Sequence, residues 1–142
     1  MTASEELHEI QRLKVLEDLG ITNTPCSDAF DALVKAATVI FDCPIGLVSL
    51  VGRDQQWFKA KCGTELEGSD RSIALCDHTI RSKKELVVED TLLDGRFCDN
   101  PLVLGEPRVR FYAGIPLSVD GVYHIGSLCV IDTRPRVPTD TQ

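Results

Sequence analysis

Apolar residues recur at every third position through the first twenty residues of the chain, a pattern that predicts a helix. Ser4 is placed to cap this helix and Gly20 to end it. Since three residues fall short of a full turn of about 3.6, the apolar stripe winds around the helix and is wider than one sheet contact needs. The helix is therefore predicted either to be buried on its own domain or to touch the domain on one side and a partner helix on the other. The stripe consists of Leu7, Ile10, Leu13, Leu16 and Leu19.

A second amphipathic helix is predicted after the turn ITNTPCSD, with Ser27 or Asp28 as its cap and Pro44 just beyond its end. Its apolar side chains fall within an arc of roughly 120°, so we expect them to pack on a single surface. These side chains are Phe30, Leu33, Val34, Ala37, Ile40 and Phe41.

Two strands that form a hairpin are predicted next. The run from Ile45 to Val51 is short and apolar on both alternating faces, which predicts a central strand covered on both sides. The segment from Gln56 to Cys62 alternates between polar and apolar residues, and the tripeptide GRD between the two runs is typical of a turn. The residues from Gly63 to Ser72 are predicted to form a polar loop.

The remaining elements complete an α+β pattern. A short helix is predicted from about Ile73 to Arg81, and a third strand from Leu86 to Glu89. The fourth strand, Val109 to Leu117, and the fifth, His124 to Ile131, are joined at the hairpin turn Asp120-Gly121. Because hairpins make neighbouring strands antiparallel, we expect a central antiparallel sheet of five to six strands flanked by helices.

The connection from Asp90 to Arg108 is long for a compact domain, and connections of this length often serve as lids or pocket walls. It carries a cation, an aromatic ring, a thiol, a carboxylate and an amide in succession, from Arg96 to Asn100. The fourth strand follows it, with one apolar face and one face of small or polar-tipped residues. The second face is either the wall of a small-molecule cleft or a less tightly packed face covered by a helix. Its residues are Arg110, Tyr112, Gly114 and Pro116.

Composition narrows the class of protein. The 142 residues are the length of one ordinary domain, and a hydrophobic content of 43% is enough for a core. With 15 Lys plus Arg against 22 Asp plus Glu, the net charge of −7 argues against a nucleic-acid partner, because phosphate contacts need clustered cations. The sequence has no apolar run near the roughly 20 residues of a membrane span and no signal-peptide pattern at its start. We therefore expect a cytoplasmic protein without membrane association.

Candidate chemistry centres on cysteine and histidine. The six cysteines are widely spaced, the closest pair being Cys62 and Cys76, and without CxxC spacing no metal site is predicted. Cys76 and His78 lie two positions apart on the predicted short helix, where side chains do not face one another. Cys76 is therefore expected in the core, with ligand contact by Cys76 or His78 and a nucleophilic thiol as alternatives. The sequence contains neither a glycine-rich phosphate loop nor a GxSxG motif.

Several stretches together resemble the GAF domain, a sensory and regulatory module with a PAS-like sheet. The resemblance runs from about Leu16 to Arg136 and is strongest to GAF domains at the N-terminus of bacterial sensor histidine kinases and diguanylate cyclases. It is carried by FDALVKAATVIFDCPIGLVSLV, DQQWFKAKCG, LCDHTI, LVVEDTLLDGRFCDNPLV, RFYAGIPL and IGSLCVID.

The resemblance implies an architecture and an assembly. Counting the five predicted strands along the chain, the implied strand order is 2-1-5-4-3. Residues 1–20 form a signalling and dimerising helix, residues 21–134 the GAF domain, and residues 135–142 a polar tail or linker. The C-terminal helix that would complete the dimerising bundle is missing after Ile131, so the chain is expected to be truncated and its output domain to be fused or downstream. The implied homodimer forms through Leu7, Ile10, Leu13, Leu16 and Leu19.

The resemblance also implies where a ligand would sit, on the sheet face beneath the short helix and the long connection. GAF domains that bind a bilin carry the chromophore cysteine directly before a histidine. Here Asp77 separates Cys76 from His78, which argues against a bilin cofactor and leaves the cofactor unknown. The implied ligand-binding residues are Cys76, His78, Phe97, Asp99 and Tyr112.

Three functions follow as hypotheses. The first is a sensory module, not an enzyme, in a signal-transduction protein such as a two-component system. It binds a small molecule or a partner and transmits the change through its terminal helices. The second is a thiol enzyme similar to free methionine-R-sulfoxide reductases, with Cys98 attacking and Cys76 resolving. The third is a domain that binds nothing and only dimerises.

Overall fold

The computed structural model describes residues 2–20, 28–118 and 121–139. Predictions about the turn before the second helix, about Ser27 as a cap and about the Asp120-Gly121 turn lie wholly or partly outside these residues. The described α-helices are α1 (Ala3–Leu19), α2 (Asp28–Phe41), α3 (Leu75–Ser82) and α4 (Pro101–Leu104). The described strands are β1 (Ile45–Val51), β2 (Gln55–Cys62), β3 (Gly68–Asp70), β4 (Leu86–Val88), β5 (Phe111–Ser118) and β6 (His124–Asp132).

The ends of α1 are set by local chemistry. Thr2 caps the helix in place of Ser4, because the Thr2 backbone is extended and its Oγ1 accepts a hydrogen bond from the Glu5 amide at 3.1 Å. Ser4 already lies inside the first turn. Gly20 ends the helix as predicted, in the left-handed region at a φ of 64°, where a side chain would be strained.

Within the described residues the strands form one antiparallel sheet in the order β3-β2-β1-β6-β5-β4. The five predicted strands follow the order that the resemblance implied, and the α+β class is confirmed. The prediction of a polar loop from Gly63 to Ser72 is wrong in part, because β3 lies within that segment and pairs with β2. Gln55 pairs with Asp70 there, and their side chains also share a hydrogen bond of 2.7 Å. Polar residues form this strand because it lies at the exposed edge of the sheet.

The two faces of the sheet carry separate hydrophobic clusters. Leu47 and Val51 of β1 belong to the larger cluster, which includes Tyr112 and the buried side of α3. Val48 lies between them in sequence and packs with Val34 of α2 on the opposite face, since successive strand residues point to opposite sides. The prediction of a central strand covered on both sides is confirmed for β1, all of whose residues are buried.

The face of β5 that bears Tyr112 is filled rather than open. Tyr112 is fully buried, and its ring lies so close to Gly114 that a Cβ there would fall 2.5 Å from the Tyr112 hydroxyl oxygen. Of the two alternatives for this face, a cover by a helix fits the described structure, since α3 packs over it, whereas an open cleft wall does not. A large aromatic side chain over a glycine fills the space that its small neighbour leaves.

The apolar stripe of α1 is only partly used. Leu16 is buried against Leu50 and Ile125 of the sheet. Leu7, Ile10 and Leu19 remain 56%, 60% and 37% exposed, respectively, and Leu13 is half-buried. One residue of the stripe is thus buried and three are exposed, as expected for a helix that touches its domain on one side only. Contact of the other side with a partner helix stays a prediction.

Two further features concern α2 and the tail. The prediction that the apolar arc of α2 packs on a single surface is wrong in part, because Leu33 and Ile40 are exposed whereas Thr38 is buried.

After β6 the described tail contacts the domain, with an ion pair of 2.8 Å between Arg136 Nη1 and Asp132. Among the described helices, none has both the length and the apolar content that a membrane crossing needs.

Candidate functional site

Hydroxyl and thiol groups meet beneath α3, in the region where a ligand was expected. Cys76 and Thr79 lie one turn apart on the buried side of α3. The Cys76 Sγ accepts hydrogen bonds from the Ser127 hydroxyl at 2.9 Å and from the Tyr112 hydroxyl at 3.4 Å. The hydroxyls of Thr79 and Tyr112 are 2.7 Å apart and share a further hydrogen bond. Every polar group named here therefore has a partner inside the protein.

A second thiol completes this cluster. The Sγ atoms of Cys76 and Cys129 are 3.9 Å apart, and both residues are buried. The hydrogen bond from Cys129 lowers the pKa of Cys76, burial acts against it, and the bonds from Ser127 and Tyr112 add to the lowering. The hydrogen bond to Cys76 and burial together raise the pKa of Cys129. Cys76 is thus the thiol that loses its proton first.

A row of hydrogen-bonded polar side chains continues from this cluster across the sheet to its edge. Ser49 of β1 pairs with Ser127 of β6 in register, and its hydroxyl donates to Gln56 Oε1 at 2.6 Å. Gln56 Nε2 donates in turn to the Ser69 hydroxyl of β3 at 2.7 Å. Sequence reasoning missed this row. The signal that could have revealed it is a lone serine in each of two apolar strands, in IGLVSLV and in HIGSLCVID.

The segment from Asp90 to Arg108 packs down onto this region. Phe97 is fully buried, and its ring meets the His78 ring edge-on with centroids 4.7 Å apart. Asn100 Nδ2 donates to the Ile73 carbonyl at 3.1 Å, which ties the segment to the approach to α3. Burial lowers the pKa of His78, and the positive charges of Arg96 and Arg81 add to the lowering, whereas Asp77 opposes it. His78 is therefore neutral near pH 7.

Only a small space remains beneath this segment. A cavity of about 40 Å³ is lined by Gln56, Phe58, Cys76, Leu102 and Tyr112, among others. This volume holds about one to three water-sized molecules. Among the described residues, an open cleft of metabolite size is therefore not found beneath this segment, where one was expected. An interior ligand would require the segment above to move.

The predicted ligand-binding residues separate into three environments. Cys76, Phe97 and Tyr112 belong to one buried cluster. His78 is half-buried against Phe97, and Asp99 is exposed. The prediction that these residues contact a ligand is not tested by this arrangement. The thiol-enzyme hypothesis paired Cys76 with Cys98. In the structure, the sulfur that lies 3.9 Å from Cys76 Sγ belongs to Cys129.

A more open groove lies between α1 and α3, and we call it the α1–α3 groove. Its volume is about 390 Å³, within the range of small-molecule sites. Four arginine or lysine side chains and two glutamates line it, together with two histidines. The lining residues are Ser4, Glu5, His8, Glu9, Arg12, Arg71, Ile80, Arg81, Lys83 and His124.

A chain of ion pairs runs beside this groove and links α3 to α1. Arg71 Nε lies 2.8 Å from Asp77 Oδ1 on α3, and Arg71 Nη1 lies 2.8 Å from Glu9 Oε1 on α1. Glu9 also pairs with Arg12 at 2.9 Å. The buried Arg12 donates to the Val51 carbonyl at the end of β1 at 2.7 Å. Because each charged group has an opposite charge within contact distance, burial of the chain is compensated.

These pairs shift the ionisation of their members. Burial alone would raise the pKa of Glu9, but hydrogen bonds from Arg12 and Arg71 outweigh it and lower the pKa. Burial likewise acts to lower the pKa of Arg71, and hydrogen bonds to Glu9 and Asp77 raise it instead. The spacing of Glu9 and Arg12 on one helix was a sequence signal for the local pair. Their contact with Arg71 carries no such signal.

Residues 26–142 match the family model of the GAF domain. The chain belongs to the GAF domain family. The resemblance read from the sequence is thereby confirmed. Among the described residues of this GAF domain, no three histidine, cysteine, aspartate or glutamate side chains are grouped to hold a metal ion.

Comparison with known proteins gives one relative of clear sequence similarity. A protein named cyclic di-GMP phosphodiesterase, from Pseudomonas aeruginosa, is 41% identical over 130 residues. The match covers 92% of this GAF domain chain and 22% of that protein. The chain thus spans about a fifth of the length of its relative.

Solved structures share the fold at low identity. The GAF domain of an Acinetobacter phosphoenolpyruvate-protein phosphotransferase superimposes with a TM-score of 0.65 at 15% identity, covering 99% of this chain and 84% of that one. A type II free methionine-R-sulfoxide reductase from Thermoplasma acidophilum gives 0.59 at 11% identity, covering 75% and 73%. At such identities the likeness establishes the GAF fold alone.

Proposed function

We propose that this GAF domain is a sensory and regulatory module of a longer bacterial signalling protein, and that it is not itself an enzyme. A small molecule binds in the α1–α3 groove, and α1 carries the response out of the domain. The observation that supports this most directly is the chain of ion pairs from Asp77 through Arg71 to Glu9, which joins α3 to α1 along the groove.

The groove favours a ligand with negative charge. Its lining combines Arg12, Arg71, Arg81 and Lys83 with only two glutamates, in a protein whose net charge is −7. An anion that reached Arg71 would compete with Glu9 for the same guanidinium. Since only differential affinity shifts a population, the ligand must bind more tightly when Glu9 has released Arg71. The state with bound ligand would then hold α1 less firmly.

Transmission and output are part of the same proposal. The exposed residues Leu7, Ile10 and Leu19 on α1 would pack against a second copy of the chain, so that release of α1 alters a dimer. Because the 41% identical relative is named a cyclic di-GMP phosphodiesterase, we propose an output domain that acts on cyclic di-GMP. The GAF domain would regulate that activity from outside the output domain's active site.

Hydrogen exchange tests the coupling between α3 and α1. Replacing Arg71 with alanine should speed amide exchange along α1, because Glu9 loses its link to Asp77. Arg53→Ala removes an exposed arginine from the neighbouring turn and serves as the matched control. If both variants leave exchange in α1 equal to that of the wild type, the ion-pair chain does not hold α1 and the proposal fails.

Native mass spectrometry tests the ligand. Protein purified from its own host should carry an anionic small molecule, and Arg71→Ala should lose it while Arg53→Ala keeps it. A ligand retained equally by both variants would move the site away from the α1–α3 groove, toward the residues expected from the sequence. These are Cys76, His78, Phe97, Asp99 and Tyr112. A bare dimer would leave only a pairing domain.

Incubation with free methionine-R-sulfoxide, followed by thiol counting, tests the alternative thiol enzyme.

A further inference from the structure

Two buried thiols from distant parts of the chain meet beneath α3. Cys76 comes from α3 and Cys129 from β6, 53 residues apart in sequence, and their sulfurs are 3.9 Å apart. A disulfide needs a separation of about 2 Å, so the sulfurs must approach one another by about 2 Å. α3 is two turns long and is followed at Lys83 by a left-handed residue. The sulfurs come together if α3 or the two side chains close this gap of about 2 Å.

The surroundings of Cys76 favour a thiolate. The hydroxyls of Ser127 and Tyr112 donate hydrogen bonds to its Sγ, at 2.9 Å and 3.4 Å. Hydrogen bonds to the charged form stabilise it. A thiolate is the nucleophile in thiol oxidation, whereas a thiol is nearly inert. Cys129 keeps its proton because its pKa is raised by the bond to Cys76 and by burial. The pair thus combines an attacking sulfur with a resolving one.

A route of limited size leads to this pair. The cavity of about 40 Å³ has Cys76 and Tyr112 in its lining, and it also has Leu66, which is 42% exposed. The cavity thus lies between the buried Cys76 and a partly exposed side chain. A space for one to three water-sized molecules admits a hydrogen peroxide molecule. It is too small for a bulky oxidant such as oxidised glutathione.

We propose that Cys76 and Cys129 form a redox site that hydrogen peroxide converts to a disulfide. The Cys76 thiolate attacks one peroxide oxygen, the O–O bond breaks, and hydroxide leaves and takes up a proton to become water. Once Cys76 is oxidised, its thiolate no longer acts to raise the pKa of Cys129. The Cys129 sulfur then attacks the sulfur of the Cys76 sulfenic acid, the S–O bond breaks, and the Cys129 proton passes to the departing hydroxide, which leaves as a second water. Two thiols are oxidised to one disulfide, and one peroxide is reduced to two waters. An exogenous dithiol restores both thiols by exchange.

The proposal does not depend on ligand binding in the α1–α3 groove. It also differs from the thiol-enzyme hypothesis, since the partner of Cys76 is Cys129 instead of Cys98 and the product is a change in the domain itself. The crosslink would tie α3 to β6 and would remove the thiolate that accepts hydrogen bonds from Ser127 and Tyr112.

Peptide mapping of the full chain tests the site directly. The reduced wild-type protein is treated with hydrogen peroxide under native conditions, and free thiols are then alkylated in denaturant. A non-reducing digest should contain a peptide pair joined through Cys76 and Cys129, two hydrogen atoms lighter than the reduced pair. Recovery of both residues as alkylated thiols, while the half-buried Cys62 and Cys98 are oxidised, would overturn the proposal.

Two variants sharpen the assignment. In Cys129→Ala the reaction should stop at a sulfenic acid on Cys76, which a cyclic 1,3-diketone traps when the oxidised protein is unfolded in its presence. Cys98→Ala is the matched control and should form the Cys76–Cys129 crosslink as the wild type does. Loss of the crosslink in Cys98→Ala, or a crosslink between Cys76 and Cys98 in the wild type, would refute the pairing. The wild-type map stands on its own even if Cys129→Ala folds poorly.

A comparison of oxidants tests the route. Hydrogen peroxide should produce the crosslink, whereas oxidised glutathione at the same concentration and for the same time should not. A crosslink that forms equally with both reagents would contradict access through the small cavity.

Discussion

Two neighbouring residues of α3 belong to two very different regions of the molecule. Cys76 contacts the interior beneath α3, where thiol, hydroxyl and amide groups hydrogen-bond to one another and are surrounded by apolar side chains. Asp77 contacts the α1–α3 groove region, where carboxylates and guanidinium groups pair near solvent. Charged groups are costly to bury, and neutral polar groups are tolerated in a core once hydrogen-bonded. We therefore expect the interior to contribute most of the stability, and under the proposed function the groove provides the coupling and the response to charge.

The largest loss of unfolding free energy should come from a substitution in the interior. Phe97→Ala removes a fully buried ring that packs against His78, and truncations of this kind cost about 3–5 kcal/mol. Urea unfolding followed by circular dichroism measures the loss. Leu93→Ala is the control in the same segment, because Leu93 is 86% exposed and should change stability by less than about 0.5 kcal/mol. Equal losses in the two variants would mean that the segment from Asp90 to Arg108 is not packed onto the domain.

The next effect tests whether the groove also contains a structural element. Arg12→Ala removes the buried guanidinium that binds Val51 and Gly52 carbonyls and pairs with Glu9. Removing one member of a buried ion pair costs about 3 kcal/mol. Lys14→Ala, which breaks an exposed pair with Asp18 on the same helix, should cost about 0.5 kcal/mol or less. A loss for Arg12→Ala as small as that of Lys14→Ala would show that α1 is not anchored through Arg12.

A smaller effect isolates the hydroxyl cluster. Tyr112→Phe keeps the ring and removes the hydroxyl that bonds to Thr79 and Cys76, so unfolding free energy should fall by about 1–2 kcal/mol. Tyr123→Phe makes the same chemical change at a more exposed hydrogen bond to Gln11 and should have little effect. Equal values from denaturant unfolding would mean that the interior hydrogen bonds add nothing beyond those at the surface.

The smallest effect concerns pH and distinguishes the groove from the interior. The pKa of Glu9 is lower in the folded chain than in the unfolded one, so the unfolded chain binds more protons as pH falls below about 4. The stability that Glu9 contributes is therefore present above that range and is lost as pH falls through its folded pKa. In Glu9→Gln this contribution is absent at every pH. Urea unfolding at pH 7 and pH 3 should thus give a smaller difference between wild type and Glu9→Gln at the lower pH. The same or a larger difference at pH 3 would contradict the pairing of Glu9 with Arg12 and Arg71.

Most of the fold could be predicted because its signals are local. The alternation in QWFKAKC and the helical spacing around Val34 are properties of short segments, and the structure forms elements at both places. The family resemblance supplied the order of the five predicted strands. The edge strand β3 escaped prediction because Gly68, Ser69 and Asp70 carry no strand pattern, and their pairing with β2 supplies what their own composition does not.

The candidate sites were less predictable. Cys76 was expected in the core, where the structure places it. Tyr112 was singled out on a face that could be the wall of an open cleft, whereas its ring occupies that space. The sequence analysis did not single out Cys129, Ser127 or Arg12. A cysteine or serine in a strand and an arginine in a helix are common, so their own segments give no signal of a special role. Their importance arises from what they face across the fold.

By itself, the sequence determined the class of the fold, three of the four described α-helices and most of the strands, because these follow from the repeat of apolar side chains along short stretches of backbone. The short α4 (Pro101–Leu104) lies within the predicted long connection and was not predicted. Only the tertiary structure decided which polar groups meet. Ser127 reaches Cys76 from 51 residues away, Arg12 reaches Val51 from 39, and Arg71 reaches Glu9 from 62. Such contacts depend on how a helix crosses a sheet and on the register between strands, and side-chain packing across the whole domain sets both.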